Sequence, residues 1–273
     1  MSRLHWLSFC TLLITQSTLA DSALATAVPP PHACLTQEAP SASLDLAYQR
    51  QQRDNSQRQQ QDAIIGFKAG LTTLPQQQRY AISGPVFAAL FASGELAAKS
   101  AITLDHYRLP KLETEIGFIA AVRIHAPVLS TAELRHYFQF VVPVIEIPDV
   151  SFVSGCQPNA VDLVAANVAA ASHLRGNALR WADLPTLAEL RVSLTRDGEL
   201  IAAGSAQDVL QGVDAMLLFL VNEAVRQGYA IEPGQLFITG AMSGLIEAKP
   251  GAHHADFGAL GTISFEVLLG EGK

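Results

Sequence analysis

The order of polar and apolar positions divides the chain into a polar front and a strand-rich remainder. Leu44 to Asp62 is dense in Gln and Arg, with Leu44, Leu46, Ala47 and Tyr48 at its front. This predicts a solvated helix whose apolar face lies at its N-terminal end. From Ile64 the pattern changes to short apolar runs rich in β-branched residues. Ile64–Leu71, Ile116–Ile124 and Phe138–Ile147 predict strands. The Ala-rich stretch Ala160–Ala171 predicts a packed helix. Leu190–Thr195 and Leu200–Ala202 flank Arg196-Asp197-Gly198-Glu199, which predicts a hairpin turning at Asp-Gly. Val209–Gln227 reads as the longest helix, closed by Gly228; Gln211, Asp214, Asn222 and Glu223 make it amphipathic rather than membrane-spanning. Gln235–Thr239 and Gly261–Leu269 complete the strands. Strands joined by irregular links, with few helices between them, indicate an α+β fold rather than a doubly wound sheet.

The N-terminus has a different character. Arg3 and His5 precede an apolar run, Leu7–Ile14, and Thr18-Leu19-Ala20 then offers small residues for cleavage. This is the layout of a secretory signal peptide. The run is far shorter than the roughly 20 residues that span a bilayer, so no stable membrane insertion is expected. A buried N-terminal helix is the alternative, and Ala23-Leu24-Ala25 is a second cleavage option. The expected organisation is a signal peptide over residues 1–20, an irregular arm over 21–42 with Pro29-Pro30-Pro31, and one catalytic domain over 43–273. A secreted or periplasmic location follows.

Composition changes the picture in two ways. Of 273 residues, 49% are hydrophobic and 16% charged, which excludes an intrinsically disordered chain. A net charge of -7 without a basic run excludes a nucleic-acid binder that works by phosphate neutralisation. Beyond the signal, Cys34 and Cys156 remain as an even pair. In an oxidising compartment they either form a disulfide or stay as two thiols, and the distance between them decides.

The chemistry concentrates in three glutamates. Glu113 and Glu115 stand two apart in Pro110-Lys111-Leu112-Glu113-Thr114-Glu115-Ile116. In a strand they share a face, where two like charges repel unless a cation sits between them. Carboxylates are hard oxygen ligands, suited to Mg²⁺, Mn²⁺ or Ca²⁺. A Glu-x-Glu pair alone also fits a solvated strand face. Glu146 lies inside the apolar run Val141–Ile147, where an unpaired buried charge is costly, and so adds weight to a metal site.

Four segments occur in order: Gly66-Phe67-Lys68-Ala69-Gly70-Leu71-Thr72, Leu112-Glu113-Thr114-Glu115-Ile116, Ile145-Glu146-Ile147-Pro148 and Leu236-Phe237-Ile238-Thr239-Gly240-Ala241. With the closing Phe257–Ile263, the chain from about residue 44 to 269 resembles the fumarylacetoacetate hydrolase superfamily. Within it, the likeness is to the branch of 2-keto-4-pentenoate hydratases and 4-oxalocrotonate decarboxylases. The resemblance implies a mixed β-sheet roll with flanking helices and a Mg²⁺- or Mn²⁺-dependent site. It places the metal on Glu113, Glu115 and Glu146, a catalytic lysine at Lys68, and substrate contacts at Thr239 and Gly240. It implies a short 2-hydroxydienoate or 2-oxo acid as substrate, a hydro-lyase reaction, a homo-oligomer and a role in aromatic catabolism. Lys68, between Gly66 and Gly70 in an apolar run, reads by itself either as functional or as a surface lysine.

The chain departs from that branch in places. No acidic residue stands in Gly84-Pro85-Val86-Phe87, Ala166 replaces the aspartate of an Ala-Asp-Asn tripeptide, and Gln235 follows Gly234 where the branch has aspartate. A decarboxylase of the same branch, or a binding protein that keeps the metal cup without turnover, therefore stay open beside the hydratase. Asp149 reads as a turn former or an acid, His173 and Arg175 as substrate contacts or surface caps, and His253 and His254 as a solvated pair or a ligand cluster.

Overall fold

The computed structural model describes residues 28–270. The expected signal peptide and its cleavage site lie outside them. A short helix, α1 (Leu35–Glu38), precedes α2 (Leu44–Arg58). Strands β1 (Ile64–Gly70) and β2 (Val86–Phe91) flank α3 (Leu74–Arg79). Then come β3 (Ile102–Thr103), β4 (Lys111–Ala120), α4 (Leu134–Tyr137) and β5 (Phe138–Ile147). The short helix α5 (Ala160–Ala165) leads to β6 (Ser172–Arg175) and β7 (Leu179–Arg180). The hairpin β8 (Arg191–Arg196) and β9 (Glu199–Ser205) precedes α6 (Val213–Arg226). The chain finishes with β10 (Leu236–Ile238), β11 (Ile246–Glu247), β12 (Gly251–Asp256) and β13 (Thr262–Leu268).

The strands form two mixed sheets, in accord with the α+β roll. One runs β2-β1-β10-β4-β5-β6, with β11 added to β4 and β7 to β5; the other runs β3-β13-β12-β8-β9. β1 and β10 pair in parallel, whereas β10, β4, β5 and β6 are antiparallel in turn. One face of the larger sheet carries Phe67, Phe87, Phe118, Phe138 and Phe237, all fully buried. These join Leu217, Leu220 and Val221 of α6 and Leu194, Phe265 and Val267 of the smaller sheet in one cluster. The opposite face is shared by two smaller clusters. Ala47, Val86, Ala88, Leu163 and Val168 pack beneath α2 and α5. Leu90, Val142, Val144, Leu236 and Ile238 form the second. Between them this face holds the charged residues.

Several elements differ from the sequence reading. The strand expected over Ile116–Ile124 runs instead over Lys111–Ala120, because the chain turns out of the ladder after Ala120 and only Ile124 bridges back, to Ile231. The Ala-rich helix stops at Ala165; Asn167, Val168 and Ala169 follow with φ of 50°, 50° and 54°, which no right-handed helix accommodates. α6 begins only after Gly212, at φ 85°, and its 14 residues are fewer than the 15 of α2. α2 is less solvated than its composition implies: Gln51 and Asn55 are buried, and Gln51 Nε2 donates to the carbonyls of Phe87 and Val164. Phe138–Ile147 and the Asp-Gly hairpin form as read, with Asp197 and Gly198 both at positive φ.

Candidate metal centre

Strand register brings the three glutamates together. Glu113 on β4 lies directly opposite Glu146 on β5, and Glu115 is two residues along on the same face. Their carboxylate oxygens lie within 4.8 Å of one another. All three are buried, Glu115 and Glu146 at 1% exposure, so the solvated-face reading of Glu-x-Glu does not hold. Lys68 enters from β1, in register with Ile238 of β10. Its ammonium forms an ion pair with Glu146 Oε1 and lies 3.4 Å from the carbonyl of Val168. Lys68 is 2% exposed, which excludes a surface lysine.

The surrounding backbone is shaped around these side chains. Gly70 passes so close to Val168 that an added Cβ would stand 2.5 Å from its Cγ1. This contact keeps the left-handed stretch, and with it the Val168 carbonyl, above Lys68. The Asn167 side chain holds the same stretch to β2, accepting from Ala89 N–H at 3.0 Å and donating to Ala89 O at 2.8 Å. Thr239 and Gly240 follow β10 directly, at the cup. Gly240 N–H donates to Glu115 Oε2 at 2.6 Å, and Thr239 Oγ1 donates to Ile116 O at 3.0 Å. Gly240 adopts φ 105°, and a Cβ there would meet Thr72 Oγ1 at 2.2 Å; the position requires glycine on both counts.

Three carboxylates and one ammonium cannot all stay charged here without cost. Burial first, then the neighbouring Glu146 charge, pushes the Glu113 carboxyl up to about 8 from its ordinary 4.5. Burial and the adjacent glutamates raise Glu115 well above its ordinary value too. Burial opposes the charge on Lys68, but the three carboxylates outweigh it and hold the ammonium above its ordinary value. Glu146 Oε2 is buried without a hydrogen-bond partner among the described residues. A divalent cation would satisfy that oxygen and remove the repulsion that raises its neighbours, so the donor set fits a hard divalent ion.

The chain matches no protein-family model. It is 28% identical over 249 residues to 2-keto-4-pentenoate hydratase of Paraburkholderia phymatum, covering 89% of this chain and 92% of that one. Over 189 residues it is 24% identical to 4-oxalocrotonate decarboxylase of Pseudomonas sp. (strain CF600), covering 69% and 71%. The fold superposes on 4-oxalocrotonate decarboxylase from Pseudomonas putida G7, complexed with magnesium and adipate, with a TM-score of 0.81 at 20% identity, over 87% and 91% of the two chains. In sequence the chain resembles 2-keto-4-pentenoate hydratases and a 4-oxalocrotonate decarboxylase, and it shares the fold of the latter enzyme from Pseudomonas putida G7.

Other residues singled out in the sequence fall in different places. Asp149 is structural, its carboxylate accepting from the N–H groups of Arg108 at 2.8 Å and Leu109 at 2.9 Å. His253 is buried and stacked on Phe265, whereas His254 is exposed and bonded to Ser264 Oγ at 2.9 Å, so they are neither a solvated pair nor a ligand cluster. Arg175 pairs with Glu95 at 2.5 Å on the wall of a cavity of about 1400 Å³ whose lining includes none of the cup residues. His173 is not a surface cap: it is buried on β6, beside Glu146. The Val168 carbonyl escaped the sequence reading, and Gly240 was read there as a substrate contact rather than as the donor to Glu115, because a backbone contact leaves no side-chain signature.

Proposed function

We propose that the protein is a divalent-metal-dependent lyase that adds water to a short 2-hydroxydienoate, giving a 4-hydroxy-2-oxo acid. The observation that carries this reading is the buried convergence of Glu113, Glu115 and Glu146 against Lys68. The three glutamates would hold Mg²⁺ or Mn²⁺. The ion supplies Lewis-acid stabilisation of negative charge developing on the C2 oxygen of a 2-oxo acid. The remaining steps fall to the chain. Gly240 N–H fixes the orientation of Glu115, and the Glu113–Glu146 register fixes the spacing across the strands. Lys68 holds a proton at Nζ beside Glu146 and serves as the group that moves it as the 2-enol becomes the ketone. That conversion shifts the enol proton to C5, and water then adds with its hydroxyl at C4 and its hydrogen at C3. The clusters around Ile238 and Val168 exclude bulk water from the ammonium.

Decarboxylation by the same cup is the second reading, favoured by the likeness to 4-oxalocrotonate decarboxylase. Ala166 and Gln235 provide no carboxylate where the branch carries one, which bears on water activation rather than on the cup. Export is part of the proposal as well, supported by the disulfide joining Cys34 to Cys156, Cα atoms 5.8 Å apart. The test is the loss of dienoate absorbance on adding enzyme with Mg²⁺ or Mn²⁺, and its absence in chelator. CO₂ release from an oxalocrotonate without dienoate hydration would replace the first reading by the second. Neither reaction, with metal bound, would leave a binding protein.

A further inference from the structure

The strand that carries Glu113 and Glu115 turns its alternate residues the other way. Leu112, Thr114, Ile116 and Phe118 of β4 are all fully buried, on the face opposite the cup. Leu112, Ile116 and Phe118 belong to the main apolar cluster, and Thr114 is the polar member of the row. Valine would fill the same space without a hydroxyl to satisfy, so packing alone does not account for threonine here. Thr114 Oγ1 lies 2.7 Å from Ser243 Oγ, one hydroxyl donating to the other.

Ser243 belongs to the segment that follows β10. Thr239 N–H donates to Ile116 O at 3.1 Å, and Met242 N–H donates to Thr114 O at 2.9 Å. Between these two ties stands Gly240, whose N–H holds Glu115 Oε2 at 2.6 Å. Thr114 therefore grips the far end of the segment twice, through its carbonyl and its hydroxyl, from the position between two glutamates of the cup. β9 closes on the segment as well. A Cβ added at Gly204 would stand 1.8 Å from the Met242 carbonyl oxygen, an approach that only glycine permits.

We propose that Thr114 and Ser243 are positioning residues for the metal cup. Their hydroxyl pair fixes the segment from Gly240 to Ser243, and through it the N–H that orients Glu115. The inference rests on the metal-cup reading above. Hydrogen bonds behind a ligand orient it and tune metal affinity.

The test is calorimetric titration of Mn²⁺ into wild type, Thr114→Val, Thr114→Ser, Ser243→Ala and the double variant Thr114→Val with Ser243→Ala, each also melted in chelator. Thr114→Val and Ser243→Ala are each expected to weaken Mn²⁺ binding about tenfold. The double variant should bind no more weakly than either, because both changes break one bond. Thr114→Ser keeps the hydroxyl and should recover most of the affinity. In chelator the double variant should melt close to wild type, since neither hydroxyl is left unpaired. Unchanged Mn²⁺ affinity in the single variants, with wild type binding normally, overturns this inference and leaves the cup standing. Losses that add in the double variant overturn it, and so does a serine variant that binds as weakly as the valine one. Affinity that falls only where the melting temperature in chelator falls with it makes the pair a packing contact and overturns it too. No binding by wild type overturns the cup reading and this inference together.

Discussion

Glu113 keeps its proton over a range where a solvated glutamate has lost it. Its folded pKa of about 8 lies above the ordinary 4.5. The stability it contributes is therefore full below 4.5 and is lost as pH rises through about 8. The metal-free protein should melt at progressively lower temperature between those limits, a trend that scanning calorimetry in chelator will show or refute. Metal binding must displace the same proton. Mn²⁺ affinity should rise with pH over this window, with proton release visible as a dependence of the binding heat on the buffer. Lys68 offers a second test at this scale. Lys68→Met leaves buried carboxylates without a counter-charge, and breaking one partner from such a pair costs about 3–5 kcal/mol. The variant should melt well below wild type in chelator, yet bind Mn²⁺ at least as tightly, since a competing cation is gone. Weaker Mn²⁺ binding would show that Lys68 helps assemble the cup instead.

Individual elements differ in how legible they were. β5 could be read directly because eight of its ten residues are apolar or aromatic, and Glu146 stood out in the otherwise unbroken apolar run Phe140–Ile147. β4 was misplaced because its functional half, Lys111 to Glu115, is polar, whereas the apolar residues beyond Ala120 only look like strand. Site residues invert the pattern that normally marks a buried strand. The left-handed stretch Asn167–Ala169 was hidden for a related reason. Ala and Val carry no sign of positive φ, and the conformation is imposed by Asn167 bonding across to Ala89. Asn167→Ala removes those bonds and strands the Ala89 groups, which costs about 1–3 kcal/mol. It should also reduce turnover by displacing the Val168 carbonyl from Lys68. A loss of stability with unchanged kcat would separate the stretch from the site. Gly240→Ala should weaken Mn²⁺ binding, because its Cβ collides with Thr72 and shifts the N–H that holds Glu115. Titration beside wild type checks it.

At the scale of the whole molecule, the disulfide ties the N-terminal arm to the segment before α5, joining cysteines 122 positions apart in the chain. Closing so long a loop stabilises the chain by about 3–5 kcal/mol, through the unfolded state. Reduction, or Cys34→Ala with Cys156→Ala, should lower the melting temperature by roughly 10 °C, while Mn²⁺ affinity stays close to that of the oxidised protein. The pairing itself was not legible, because it depends on a distance that only the fold supplies. The glutamate cup was, because a charge in an apolar strand and a charge pair two residues apart both demand an explanation before any coordinates exist. That cup is the centre of the account, and Glu146 is its most direct test. Calorimetric titration of Mn²⁺ should show wild type binding one ion per chain and Glu146→Gln binding at least tenfold more weakly. Equal affinity in the two proteins, or no binding by wild type at millimolar metal, would contradict it.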